Sequence, residues 1–151
     1  MRYILAGPEI MHELTKPSEI LQQRVEPAFS EYLQNRLSER HANILAEALD
    51  GHLEWTYKYL REVDPSRLDG ATLTSFRTDL LTQHRPLHVM SDLADAARHR
   101  LLDRPHNPPR VVTASTAAYY ESAGVLHVHG FNTPFRAAAE QTLEFWRGFS
   151  D

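Results

Sequence analysis

The spacing of apolar residues between positions 28 and 63 constrains the fold of this chain more than any other feature. Apolar side chains recur there every three, four or seven residues, at Phe29, Leu33, Leu37, Ile44, Ala48, Trp55 and Tyr59. This spacing places side chains along one face of an α-helix. We therefore expect residues from about 18 to 63 to be helical, with a start or kink at Pro27, because proline lacks a backbone donor and clashes inside a helix.

Helix start signals predict two further helices in the middle of the chain. Thr72 is a suitable N-cap for a helix over about 72–84. Pro86 suits the first position of a helix over about 86–103, because the missing backbone donor is not needed there.

Residues 110–131 have a different pattern, which predicts a β-hairpin. A β-branched and aromatic run precedes a glycine-containing turn, and an alternating run follows it. A three-residue loop would set Tyr119 opposite His127 and Ala117 opposite His129.

The composition is that of one globular domain without thiol chemistry. The 151 residues are 42% hydrophobic and 24% charged and contain no cysteine, so disulfides and thiolate metal sites are excluded. The net charge of −4 disfavours nucleic acid as the main partner, since DNA-binding domains usually carry a basic excess. No apolar run is long enough to span a membrane or to serve as a secretory signal. We expect a soluble, cytoplasmic single domain over 1–151 that is mainly α (α+β in the broad sense): a helical bundle with one β-hairpin before the C-terminal helix.

Nine histidines make the chain histidine-rich, and four acid and imidazole residues have the spacing of a helical metal site. These residues are His88, Asp92, Asp95 and His99. The apolar residues of the same helix lie on its opposite side; they are Leu87, Met90, Leu93, Ala94, Ala97 and Leu101. The acid and imidazole row is therefore expected to face solvent.

His41 and His52 fall on the apolar stripe of the long helix, so both are expected to face inward. An inward imidazole is either a core residue that hydrogen-bonds a neighbour or a catalytic or ligand-binding group. The two lie eleven residues apart, about 16 Å along one helix, so they cannot bind one metal ion together.

His127 and His129 are alternate residues of a predicted strand and therefore share a face. They are the candidate metal ligands, although two ligands alone do not make a site. If they meet His41 or His52, they would form a pocket with Trp55 and Tyr119 as ligand-binding residues.

The opposite orientation of this strand remains open. Leu126 and Val128 would then face the core, and both histidines would face solvent.

Arg36 and His41 match the short R-x4-H pattern of helical HEPN-type ribonucleases. The resemblance covers six residues, and it implies RNA cleavage by a dimer as a further alternative.

Thr133-Pro134 predicts the start of a C-terminal helix over about 133–149. This helix is rich in large aromatic residues, namely Phe135, Phe145, Trp146 and Phe149. Trp146 borders the predicted buried stripe and could extend it into a surface patch, and such patches mark interfaces. We therefore expect a homo-oligomer or a protein partner at this helix.

The sequence contains none of the glycine-rich, zinc-protease or serine-nucleophile motifs that would indicate an enzyme. A non-enzymatic binding or protein-interaction module is therefore the favoured function. The alternative is a small enzyme, or a protein that binds a ligand, metal or cofactor through inward-facing histidines; no particular cofactor is indicated.

Overall fold

The computed structural model describes residues 15–103, 119–122, 124–128, 130–131 and 133–151. The fold is mainly helical, with an antiparallel hairpin before the C-terminal helix, which confirms the predicted fold class. The helical segments are α1 (Pro17–Ile20), a π-helix (Leu21–Val25), α2 (Glu26–Leu33), α3 (Glu39–Val63), a 3₁₀ turn (Pro65–Leu68), α4 (Leu73–Gln83), α5 (Arg85–Asp103) and α6 (Phe135–Arg147). The strands are β1 (Tyr119–Ser122), β2 (Val125–Val128) and β3 (Thr133–Pro134), in the sheet order β1-β2-β3.

Helix α3 is the centre of the bundle. It contacts α1, the π-helix, α2, α4, α5 and α6. Its core face is made of small and aliphatic side chains with almost no exposure, namely Ala42, Leu45, Ala46, Leu49, Leu53 and Leu60. Burial of each large aliphatic side chain contributes about 1.5–3 kcal/mol, so this face accounts for much of the stability of the bundle. None of the helices in the described ranges combines the length and apolar character needed to cross a membrane.

The prediction of one continuous helix over 28–63 is wrong. Helix α2 ends at Leu33, residues 34–38 form a turn, and α3 begins after Ser38, whose Oγ accepts a hydrogen bond from the backbone of His41 at 3.2 Å. The break changes the phase of the helix face. Leu37 and Ile44, assigned to the buried stripe, are 50% and 41% exposed.

A π-helix ends and α2 begins directly before Pro27, where the sequence predicted a start or kink. The backbone N–H of Glu26 donates to the carbonyl of Leu21, which is the i→i+5 pattern of a π-helix. Pro27 cannot donate, and its ring would clash with the carbonyl of Gln23 in a regular α-helix. Widening of the turn relieves that clash.

The hairpin forms, but its predicted register is wrong by one residue. Tyr119 pairs with Val128, and Ser122 pairs with Val125, so the loop has two residues and contains Gly124 at φ +74°. This register buries Tyr119 together with Leu126 and Val128. His129 and Ala117, which were predicted to face each other, lie outside the described residues.

Helices α4, α5 and α6 lie where the sequence predicted helices. Thr72 caps α4, with its Oγ1 accepting from the backbone of Ser75 at 3.2 Å. Thr133 and Pro134 do not form the first turn of α6; they pair with β2 as strand β3, and the helix begins at Phe135.

Candidate functional site

His52 is a buried, uncharged imidazole in the middle of α3. The residue is 3% exposed. Its ring meets the indole of Trp146 edge-on, with the ring centroids 4.8 Å apart. Burial lowers the pKa of His52 to about 4, and the carboxylate of Asp151 opposes this shift only partly. The ring is therefore neutral at physiological pH, with one nitrogen donating and one accepting.

The Nδ1 atom of His52 is buried, and no residue in the described part of the chain forms a hydrogen bond with it. An unsatisfied buried polar atom costs about 1–3 kcal/mol. Such an atom in a native fold requires a physical reason.

His52 lines a pocket of about 80 Å³ between the π-helix and α3. The pocket combines apolar walls with two charged residues; its lining is Ile20, Arg24, Val25, Glu47, Ala48, Gly51, His52 and Trp55. Five of these residues belong to α3 and recur every three or four positions, so they form one continuous strip of the helix surface.

Gly51 opens one side of this strip. It lies inside the 25-residue helix α3, where glycine costs about 1 kcal/mol relative to alanine. A Cβ atom added at Gly51 would meet no atom of the described chain within 4 Å. The missing side chain therefore leaves the space beside His52 open.

Arg24 and Glu47 face the pocket from opposite sides. Arg24 belongs to the π-helix and Glu47 to α3. Within the described ranges, neither side chain forms an ion pair, whereas Arg77, Arg98, Arg136 and Arg147 all do. The pocket thus carries one positive and one negative group that do not neutralise each other directly.

Trp55 lines the pocket in an orientation fixed by a hydrogen bond. Its indole Nε1 donates to the carbonyl of Thr15 at 3.1 Å. The other side of the indole borders a neighbouring groove of about 320 Å³ with Lys58, Arg61 and Glu62.

The π-helix supplies one wall of the pocket. Arg24 and Val25 belong to it, and π-helical turns are rare and are found frequently at functional sites. The extra residue in the turn changes which side chains face α3, so Pro27 indirectly sets the position of Arg24.

The structure brings together two of the predicted site residues, His52 and Trp55, but not the others. His41 is half-buried in the first turn of α3 and its Nδ1 shares a hydrogen bond with Ser38 Oγ at 2.8 Å, away from the pocket. It lies too far along α3 to join His52.

Tyr119 and His127 were predicted to line the same pocket, and they do not. The Tyr119 hydroxyl donates to Asn43 Oδ1 at 2.9 Å, and its ring packs edge-on against Phe135. His127 lies on the face of β2 opposite to Leu126 and Val128, because those two residues take the core face. His129 lies outside the described residues.

The metal hypotheses find no support in the part of the chain that the structure describes. It contains no group of three or more histidine or carboxylate residues able to hold an ion. The row formed by His88, Asp92, Asp95 and His99 is exposed, as predicted, and His88 Nε2 lies 3.6 Å from Asp92 Oδ2.

The R-x4-H pattern falls on a turn and a helix start. Arg36 is exposed in the loop before α3, and His41 lies in the first turn of that helix. The ribonuclease alternative stays a prediction.

The large aromatic residues of α6 do not form the predicted surface patch. Phe135 and Trp146 are buried in the core, and the Trp146 Nε1 donates to the carbonyl of Leu49 at 3.2 Å. Phe145 and Phe149 are half-buried beside them. The aromatic face of α6 points into the bundle, because α6 packs against α3 and α5.

Arg24, Glu47 and Gly51 were not identified from the sequence. One signal was present: a glycine in the middle of an amphipathic helix, directly before a histidine. The charges offered no signal, since a charged residue on a helix surface is ordinary.

Comparisons with protein-family models, with curated proteins and with solved structures gave no match to this chain.

Proposed function

We propose that this protein is a non-enzymatic binding protein that takes a small polar ligand in the pocket between the π-helix and α3. The observation that supports it is the buried, neutral and unpartnered imidazole of His52 at the wall of a pocket with charged rims. Nδ1 is closed to solvent, so a ligand group reaches it only with a small movement of the pocket wall; that hydrogen bond would recover the free energy that this atom otherwise costs.

The size of the pocket limits the ligand. A dry cavity of ~150 Å³ holds benzene, which has six non-hydrogen atoms, so a volume of about 80 Å³ encloses roughly three such atoms, and the polar ends of the ligand lie at the open rim. The ligand is thus a metabolite-sized molecule or the terminal group of a larger one.

Binding is favoured over catalysis by the protonation behaviour of His52. A general acid or base works best with a pKa near the operating pH. The pKa of His52 is lowered to about 4, so the ring cannot act as an acid at neutral pH and is a weak base. Within the described ranges, no titratable side chain hydrogen-bonds to its Nδ1.

This function belongs to the binding class that the sequence favoured, but it uses a different surface. A protein partner or second copy at α6 stays a prediction without structural support, because the two largest buried aromatics of that helix belong to the core. Sedimentation at micromolar concentration tests the homo-oligomer.

A titration followed by protein-detected NMR tests the proposal. The probes are urea, lactamide, propionate, ethylamine and alanine, and the observed signals are the His52 ring nitrogens, the Trp55 indole and the Gly51 amide. We expect saturable shifts of these three signals with at least one probe.

His52→Phe should abolish those shifts, since phenylalanine keeps a ring against Trp146 and removes the nitrogen. His84→Phe is the matched control: its ring also packs on an aromatic residue, Phe145, at 4.5 Å, and its Nδ1 is also buried, but it does not line the pocket. Absence of binding with all five probes, or equal binding by wild type and His52→Phe, would contradict the proposal.

A further inference from the structure

We infer that the ligand of this pocket is a small zwitterionic amino acid, with its carboxylate at Arg24 and its ammonium group at Glu47. The inference rests on the proposed function and names the class of ligand. It follows from two charges of opposite sign that line one small pocket and remain unpaired within the described part of the chain.

The opposite charges of Arg24 and Glu47 at the pocket rim discriminate between anionic, cationic and zwitterionic ligands. A ligand with only a carboxylate would pair with Arg24 but would bring its negative charge close to Glu47. A ligand with only an amine would pair with Glu47 but would bring its positive charge close to Arg24. Glu47 is half-buried and Arg24 is exposed, so the interaction with Glu47 is the less screened of the two. A zwitterion satisfies both groups and adds no net charge.

The geometry requires the two ligand charges to be close to each other. Arg24 and Glu47 belong to different helices that face the same space of about 80 Å³, and they do not contact each other in an ion pair. An α-amino acid carries its two charged groups on one carbon atom, so both groups can lie at the rim of the same small pocket.

His52 completes the recognition without disturbing the charges. A neutral imidazole can accept a hydrogen bond from the ammonium group or donate one to the carboxylate, according to its tautomer. A charged histidine at the same place would repel the ammonium group. Burial of the ring against Trp146 is therefore useful for a zwitterionic ligand.

The walls restrict the side chain of the amino acid. Ile20, Val25 and the fixed indole of Trp55 bound the pocket, and only Ala48 and Gly51 leave room along α3. Glycine and alanine fit this space with their charged groups at the rim, whereas aromatic and long side chains do not.

The experiment compares alanine with two probes that each lack one of its charged groups. Propionate is alanine without the ammonium group, and ethylamine is alanine without the carboxylate. We expect alanine to shift the His52 and Trp55 signals with an affinity roughly ten- to hundredfold higher than either probe, because each lost charged hydrogen bond accounts for about that factor.

Charge-removing variants then assign each end of the ligand. Glu47→Gln should weaken alanine binding by roughly tenfold or more and leave propionate binding unchanged or improved. Arg24→Gln should weaken alanine binding by a similar factor and leave ethylamine binding unchanged or improved. Glu31→Gln and Arg36→Gln are matched controls, since both residues are exposed and outside the pocket lining.

The outcomes separate this inference from the proposed function. If lactamide or urea binds at His52 and alanine does not, the zwitterion is excluded and the binding function stands. Alanine binding that survives both charge removals also overturns the inference. Failure of every probe overturns both, and circular dichroism confirms that each variant is folded.

Discussion

The imidazole of His52 meets the indole of Trp146 edge-on across the contact between α3 and α6, with ring centroids 4.8 Å apart. The contact excludes water from the imidazole and keeps it neutral. Protein stability and the proposed ligand recognition therefore depend on the same ring.

Stability should fall between pH 6.5 and 4 because of His52. Its pKa is lowered to about 4 in the folded protein, whereas an unfolded histidine titrates near 6.5. Between these values the unfolded chain binds more protons, so the free energy of unfolding decreases as pH falls through this range, by at most about 3 kcal/mol from this group. Its contribution is fully present above the unfolded pKa.

Urea denaturation at pH 7, 5.5 and 4.5 measures this dependence. His52→Phe should show a shallower pH dependence than wild type, because it removes the titrating group and keeps a ring. His99→Gln, at an exposed position of α5, serves as the control. Parallel curves for wild type and His52→Phe would show that His52 does not titrate in this range on unfolding.

Asp50→Ala should clearly destabilise the protein. Asp50 is 2% exposed, and its carboxylate lies 2.8 Å from Arg77 Nη1 and 3.7 Å from Arg98 Nη2, so it connects α3 to α4 and α5. The loss should be about 1.5–3 kcal/mol, the range for a hydrogen bond to a charged group, because the Arg77 side chain left behind is 29% exposed and can be hydrated.

The pairing can be checked with a second substitution. Asp50→Leu combined with Arg77→Met should recover much of the lost stability, since a buried ion pair can be replaced by apolar groups of similar volume. Asp79→Asn, at an exposed position of α4, should change the free energy of unfolding by less than about 0.5 kcal/mol. A loss of similar size for Asp79→Asn and Asp50→Ala would disprove the role of the buried pair.

Substitutions of Gly51 should separate stability from ligand binding. Gly51→Ala should stabilise the protein by about 0.5–1 kcal/mol, because alanine favours the helix and its Cβ meets open space. Gly51→Leu places a larger side chain on the pocket wall and should abolish the NMR shifts while the protein stays folded. Retained ligand binding in Gly51→Leu would place the ligand elsewhere.

Pro27→Ala should convert the π-helix into a regular α-helix. Alanine restores the backbone donor that can bond to the carbonyl of Gln23, and it removes the clash that widens the turn. The change in register should rotate Arg24 away from α3 and weaken ligand binding, with Cα chemical shifts and amide exchange reporting the new hydrogen bonds. Unchanged shifts over 21–26 would mean that Pro27 does not cause the π-helix.

Local signals in the sequence located the helices well. Pro86 and the apolar spacing of α5 identified both the start of that helix and its buried face, because the pattern there runs without interruption and covers a single helix. Between residues 28 and 63 the same reasoning wrongly assigned Leu37 and Ile44 to the buried face, because the pattern was continued through the turn at 34–38. That turn contains neither proline nor glycine, and only Ser38, as an N-cap, indicated a new helix.

The sequence by itself determined the helical class, the hairpin before the last helix, the solvent-facing row on α5 and the inward position of His52. These features depend on the periodicity and capping of neighbouring residues, which act along the chain over a few ångströms. Only the tertiary structure decided that Arg24 and Glu47 face one pocket, that Trp146 covers His52, and that Tyr119 and His127 lie elsewhere. Such juxtapositions depend on how surfaces distant in sequence pack together, and a single widened turn or a one-residue change of register is enough to alter them.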